Sequence, residues 1–228
     1  MLISTNTKSI YRRSSKSDYF VYDEETKSLT PLFEGGQQMY ATFNPQADKV
    51  AFVHDNNLYY KDLKTNKVNQ LTQDGKSNEI INGATDWVYE EEFAFAKAFF
   101  WAPDGENIGF YRFDESAVKE FTMTNYTNAD YPVYVTFKYP KVGEKNAKIS
   151  IHMYNLENKK STMAQLGSDW EYIPRIAWTK DPKKLCVTKM NRHQSELELL
   201  LVDARTGAAT SLLKEKNKYY IDITDHLT

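Results

Sequence analysis

The chain carries one cysteine, Cys186, in 228 residues. That excludes an internal disulfide and a thiolate zinc cluster, and leaves the redox compartment open. Neither sign of charge dominates: 29 basic residues stand against 31 acidic ones, a net charge of -2. There is no electrostatic footprint for nucleic acid or an anionic membrane, and neither partner is expected. Long hydrophobic runs are missing too. Phe93–Ala102 is interrupted by Lys97 and Leu199–Val202 is shorter still, far below the roughly 20 residues that span a bilayer. The start, Met1-Leu2-Ile3-Ser4-Thr5, lacks the basic region and long apolar core of a signal peptide.

Signatures of chemistry are equally sparse. No Gly-x-Ser-x-Gly occurs, so there is no nucleophile elbow, and the chain alone is expected to be without hydrolytic activity. No glycine-rich loop is present to cradle a phosphate, and no cofactor is expected. His54, His152, His193 and His226 are scattered without metal-ligand spacing or a triad partner, which assigns them structural or exposed roles and predicts no metal.

What is present points to strands. Glycine and proline number only 9 and 7, against 16 Tyr, 12 Phe and many β-branched residues, and 41% of the chain is hydrophobic, enough for a packed core. Short alternating runs such as Lys148–Tyr154 recur between turn-forming clusters, which predicts an all-β fold. Two repeats organise them. One is an aromatic, a polar turn with proline and an apolar strand, seen at Phe43–Phe52, Trp101–Phe110 and Trp178–Val187. The other is a strand ending in Asp or Asn, a short turn and a second strand, seen around Asp23, Asp62, Asn155 and Asp203. In each copy the Asp or Asn side chain can accept backbone N–H groups ahead of it and fix the turn. Alternating the two hairpins gives four-stranded antiparallel units, the pattern of β-propeller blades; an ordinary β-sandwich is the alternative. The pieces make a partial propeller of about four blades, with a last strand starting at Lys218–Asp222. Residues 1–228 are thus expected to be a segment of a single propeller domain.

The spacing from Asp62 to Asn155 is about double that from Asp23 to Asp62, so the blade containing Trp101 carries insertions. Function often lives in such segments. The first, Ile81–Ala98, follows Gly83, offers Thr85 or Asp86 as an N-cap, and runs without glycine or proline through Glu90-Glu91-Glu92, predicting a short helix on the propeller rim. Those carboxylates fit a solvated helix face. They also fit capture of a cation: a substrate ammonium has three N–H donors and needs more than one acceptor.

Asp86-Trp87-Val88-Tyr89-Glu90-Glu91-Glu92, followed by Trp101-Ala102-Pro103-Asp104-Gly105 and Tyr139-Pro140-Lys141-Val142-Gly143, resembles the N-terminal propeller of the dipeptidyl peptidase IV family, within the prolyl oligopeptidase group of serine peptidases. The similarity runs from about Tyr11 to the end. The resemblance implies that Glu91 and Glu92 bind the free α-amine of a peptide substrate, with Glu90 a neighbour rather than a ligand. It implies that Arg12, in Tyr11-Arg12-Arg13-Ser14, helps hold the acidic pair and the substrate carbonyl, although a plain surface arginine would look the same. Asp86, Trp87 and Tyr89 are expected to cap and anchor the helix.

The second insertion, 114–147, resembles the family's projecting arm, which implies a homodimer. Its Tyr126, Tyr131, Tyr134, Phe137 and Tyr139 would line an interface or pack back onto the blade. The implied function is the substrate-recognising, gating half of a serine exopeptidase that releases dipeptides, with Pro or Ala preferred at the cut. Its partners would be peptides with a free N-terminus and a C-terminal α/β-hydrolase domain that this segment lacks. Tripeptidyl release, or a non-catalytic propeller that binds proteins, are the alternatives. The family works outside the cytoplasm, and the scarcity of cysteine suits a bacterial homologue.

Overall fold

The computed structural model describes residues 1–127 and 129–225, so His226 lies outside the described residues. The chain is all-β, with every strand pair antiparallel. The first sheet has three strands in order, β1 (Leu2–Ser9), β2 (Ser15–Tyr22) and β3 (Leu29–Pro31). The second has four, β4 (Met39–Phe43), β5 (Lys49–His54), β6 (Asn57–Asp62) and β7 (Lys67–Gln70). The third holds β8 (Ile80–Asn82), β9 (Phe99–Trp101) and β10 (Asn107–Asp114), interrupted by helix α1 (Trp87–Glu92) between β8 and β9. A separate two-stranded hairpin, β11 (Glu120–Asn125) and β12 (Val133–Lys138), follows, and the third sheet resumes with β13 (Lys148–Asn155) and β14 (Lys160–Met163). The fourth runs β15 (Tyr172–Trp178), β16 (Lys184–Met190), β17 (Glu196–Asp203) and β18 (Ala209–Lys216).

The period-2 alternation of side chains explains how the sheets stack. On β5, Val50 and Phe52 face the first sheet and join Leu32, while Ala51 and Val53 face the third and join Phe99, Ile108 and Phe110. On β10 the same alternation sends Ile108 and Phe110 toward the second sheet, and Tyr111 and Phe113 toward Ile173, Ile176, Leu185 and Val187 of the fourth. β5 and β10 are therefore buried on both faces, which is why Val50–Val53 is a continuous apolar run with no exposure. Burying Val50, Phe52 or Val53 contributes about 1.5–3 kcal/mol.

The repeats have clear physical jobs. Asp23 Oδ1 accepts the N–H groups of Glu25 and Thr26, Asp62 Oδ1 that of Thr65, Asn155 Oδ1 that of Asn158, and Asp203 Oδ1 those of Arg205 and Thr206. The aromatic that opens the other repeat ties one blade to the blade before it. The Trp101 indole donates to the Thr42 carbonyl at 3.1 Å, and the Trp178 indole to that of Phe100 at 2.9 Å. Residues 2–9 add a third strand to the first sheet, outside the repeats. One expectation is corrected. Lys218–Asp222 does not start a strand: the Tyr219 N–H bonds the Asn217 side chain and the Ile221 N–H bonds the Gln194 carbonyl, so this backbone is folded into a turn.

Candidate functional site

The helix springs from within an edge strand of the third sheet. β8 and β9 both pair with β10, Asn82 opposite Arg112 and Phe99 opposite Phe110, so residues 83–98 leave and re-enter the same strand line. The two ends meet at one residue: Gly83 N–H donates to the Tyr111 carbonyl at 3.0 Å and Tyr111 N–H donates to the Ala98 carbonyl at 2.9 Å. Gly83 has φ +75°, and a Cβ there would lie 3.0 Å from Val53 and 3.1 Å from Leu58, so both the turn and the packing require glycine. This pinched neck carries α1 at a fixed place over the junction of three sheets.

Asp86 caps the helix, its Oδ1 accepting the Tyr89 N–H at 2.9 Å. Burial pushes the Asp86 carboxyl up to about 6. Tyr89, 1% exposed, reaches the fourth sheet, where its hydroxyl accepts the Ile173 N–H at 2.8 Å. Arg175 of β15 completes the anchorage: its guanidinium donates to the Phe93 carbonyl at 2.8 Å and lies over the Phe95 ring. Trp87 packs against Tyr139 with ring centroids 4.5 Å apart and the rings tilted by 58°.

The acidic triplet then divides three ways. Glu90 is 1% exposed and turns inward, its Oε1 accepting the N–H of Arg13 at 2.5 Å and that of Ser14 at 2.8 Å. Glu91 faces Arg12, whose Nε lies 2.9 Å from Oε2 and 3.2 Å from Oε1. Glu92 is exposed and has no side-chain partner among the described residues. Arg12 uses only Nε; its two terminal nitrogens meet no protein acceptor among the described residues. The structure thus brings two of the three predicted site residues, Arg12 and Glu91, into contact, with Glu92 exposed at the next helical position. An ion pair with one partner 74% exposed contributes at most about 1 kcal/mol to stability, so stability does not account for the Arg12–Glu91 contact.

The surroundings are acidic and half-dry. Burial, then the charges of Glu115, Glu90 and Asp86, pushes the Tyr11 hydroxyl up to about 12. Burial also raises Tyr40, with Glu90 adding to it. Glu115, 6% exposed at the root of the arm, is pushed up to about 7 by burial first and the Asp86 charge second, with Lys138 opposing. Local sequence carries no sign of Glu115, or of Glu90's bond to a turn 76 residues away in the chain, because neither follows from short-range pattern.

In the 114–147 arm the aromatic set splits. Tyr126 and Tyr131 are each 83% exposed and Tyr134 is 68% exposed, whereas Phe137 packs on Tyr11 at 5.9 Å and Tyr139 packs on Trp87. The distal part matches an exposed set and the root packs back onto the molecule.

Residues 1–228 match the family model described as the dipeptidyl peptidase IV (DPP IV) N-terminal region. The chain is 33% identical over 228 residues to "Probable dipeptidyl-aminopeptidase B" of Talaromyces marneffei, covering 91% of this chain and 25% of that one. It is 31% identical over 258 residues to dipeptidyl peptidase 4 of Arthroderma otae, covering 99% and 33%. It also superposes on the crystal structure of Porphyromonas gingivalis dipeptidyl peptidase 4 with a TM-score of 0.93 and 40% identity, covering 97% of this chain and 32% of that one. The chain therefore spans about a quarter to a third of the length of these relatives.

Proposed function

The chain belongs to the dipeptidyl peptidase IV N-terminal region family, and from that premise we propose that it is the substrate-recognising propeller segment of a serine exopeptidase that removes dipeptides from free peptide N-termini. The observation that carries this reading is the Arg12–Glu91 ion pair beside the exposed carboxylate of Glu92, the next residue of the helix. The full-length relatives are described as dipeptidyl peptidases, which supports that activity for the whole protein.

The chemistry fits the residues. An α-ammonium presents three N–H donors, and exposed Glu92 together with the unused lone pairs of Glu91 would supply the acceptors it needs. In this reading the terminal nitrogens of Arg12 donate to the first peptide carbonyl while its Nε holds Glu91 in position. Clamping the N-terminus at a fixed distance from a nucleophile on a hydrolase domain sets how many residues are released, since productive geometry is met at one bond only. In this reading the propeller also gates access to that domain.

The arm supplies the second contact in the reading. Phe121, Met123, Val133, Val135 and Phe137 alternate onto one face of the hairpin, and beyond Phe137 that face is exposed. A second copy of the chain is the occupant we assign, giving a homodimer through 114–147. The direct test of the amine clamp is kinetic: in the full-length enzyme, Glu91→Gln and Glu92→Gln lower kcat/KM for a free-amine dipeptide amide. Wild-type turnover by both variants would remove the assignment.

A further inference from the structure

We propose that Glu90 is a positioning residue for amine recognition: it holds the turn that aims Arg12 at Glu91 and does so without touching the substrate. The inference rests on the amine-clamp reading above and adds a role to the glutamate that the resemblance treats as a bystander.

The geometry is that of a tight turn pinned at one point. Residues 10–14 close on themselves, the Ile10 N–H donating to the Ser14 carbonyl at 2.9 Å and the Tyr11 N–H to Ser14 Oγ at 3.1 Å. Arg12 sits at the tip. The next two N–H groups, of Arg13 and Ser14, converge on the single oxygen Glu90 Oε1. Ser14 is 5% exposed and Glu90 1%, so water does not replace the Ser14 bond, and both donors converge on this one acceptor.

Arg12 itself has little else to hold it. Its side chain is 74% exposed and its one polar partner among the described residues is Glu91. A long, solvated arginine keeps one rotamer only if its Cα is fixed at the right distance. The backbone of residues 10–14 therefore sets where the guanidinium can reach, and Glu90 is the group that ties that backbone to the helix carrying Glu91. Glu90 and Glu91 are consecutive, so one short helix both anchors the turn and receives its arginine. A carboxylate is well matched to this role because it accepts two N–H bonds on one oxygen with charge assistance. An amide could still accept them, but its NH2 would be left in a buried place.

The test uses the full-length enzyme and a chromogenic dipeptide amide ending in proline. Glu90→Ala is expected to lower kcat/KM about tenfold, the size of one lost charge-assisted contact, and Glu90→Gln by less. Because Glu90 acts through Arg12, Glu90→Ala in an Arg12→Ala background should cost less than about twofold more. Thermal melts accompany each variant, and if Glu90→Ala melts early the isosteric Glu90→Gln carries the cycle. Losses that multiply fully in the double variant would overturn the proposal, as would wild-type kcat/KM for both Glu90 variants beside an impaired Glu91→Gln. An unimpaired Glu91→Gln would instead remove the amine clamp on which the proposal stands, so the two failures are distinguishable.

Discussion

The third sheet carries two insertions, one interrupting the β8–β9 line beside β10 and one following β10, and they treat their apolar and charged groups in opposite ways. The 83–98 insertion buries Tyr89 and Phe93, ties its helix to β15 through Ile173 and Arg175, and gives Asp86, Glu90 and Glu91 partners, leaving Glu92 as its unpaired carboxylate among the described residues. The 114–147 insertion is anchored at its root by Phe137 and Tyr139 and then leaves Tyr126, Tyr131, Val133 and Val135 exposed. A rigid, almost fully satisfied element with one free charge is suited to position a small polar group. A projecting hairpin with a bare apolar face is suited to meet another surface.

If the first insertion is the rigid one, its anchors should be costly to remove. Tyr89→Ala is expected to destabilise this chain by about 3–5 kcal/mol through the cavity left among Phe93, Phe95 and Phe113, measured by urea unfolding. Tyr89→Phe should cost about 1–3 kcal/mol, because it strands the buried Ile173 N–H. Loss below about 0.5 kcal/mol for both would mean that the helix is not locked to the fourth sheet. A smaller effect is expected for Asp86→Ala, about 1 kcal/mol from the lost cap, read in the same assay.

A pH measurement sharpens the boundary between the two insertions, where Glu115 sits. Its carboxyl is raised from 4.5 to about 7, burial being the main cause. Burial disfavours the ionised form, so its favourable contribution is complete below about pH 4.5 and is lost as pH rises through about 7. Asp86, raised to about 6, loses stability across an overlapping window. The melting temperature of Glu115→Gln should therefore fall less between about pH 4.5 and about pH 7.5 than that of the wild type, with the Asp86 part remaining. Parallel curves would show that Glu115 is not dry in the folded state.

The smallest stability effect belongs to the arm. Met123→Ser with Val135→Ser should change the unfolding free energy of the isolated segment by no more than about 0.5 kcal/mol per site, since both side chains are exposed. The same change should shift the full-length protein from dimer to monomer in sedimentation. A monomeric wild type, or an unaffected dimer, would take the interface away from this face.

Much of the fold is legible from local rules. The Asp and Asn turns, the alternating strands and the capped helix after Gly83 follow from short-range chemistry, and each has its expected hydrogen bonds. Arg12, Glu91 and Glu92 are identifiable only by resemblance; their meeting depends on a contact 79 residues apart, which no local pattern encodes. The same reason hides Glu90's role and the burial of Glu115. The sequence predicts the helix on the rim, yet it interrupts the first strand of its sheet, because the hydrogen bonds of Gly83 and Ala98 to Tyr111 let the strand line resume after the excursion of residues 83–98. At 218–222 an aromatic run imitates a strand start, since β-propensity does not reveal whether a partner strand lies alongside.

In the proposed reading the exposed carboxylate of Glu92 and the Arg12-paired carboxylate of Glu91 recognise a peptide α-amine. The most direct measurement is competitive inhibition of the full-length enzyme at neutral pH by a non-hydrolysable peptide and by its N-acetylated form. Acetylation is expected to weaken inhibition at least about tenfold, raising the pH above about 8 to narrow the difference as the amine loses its proton, and Glu91→Gln with Glu92→Gln to abolish it. Equal inhibition by the two peptides would leave Glu91 and Glu92 as a solvated helix face.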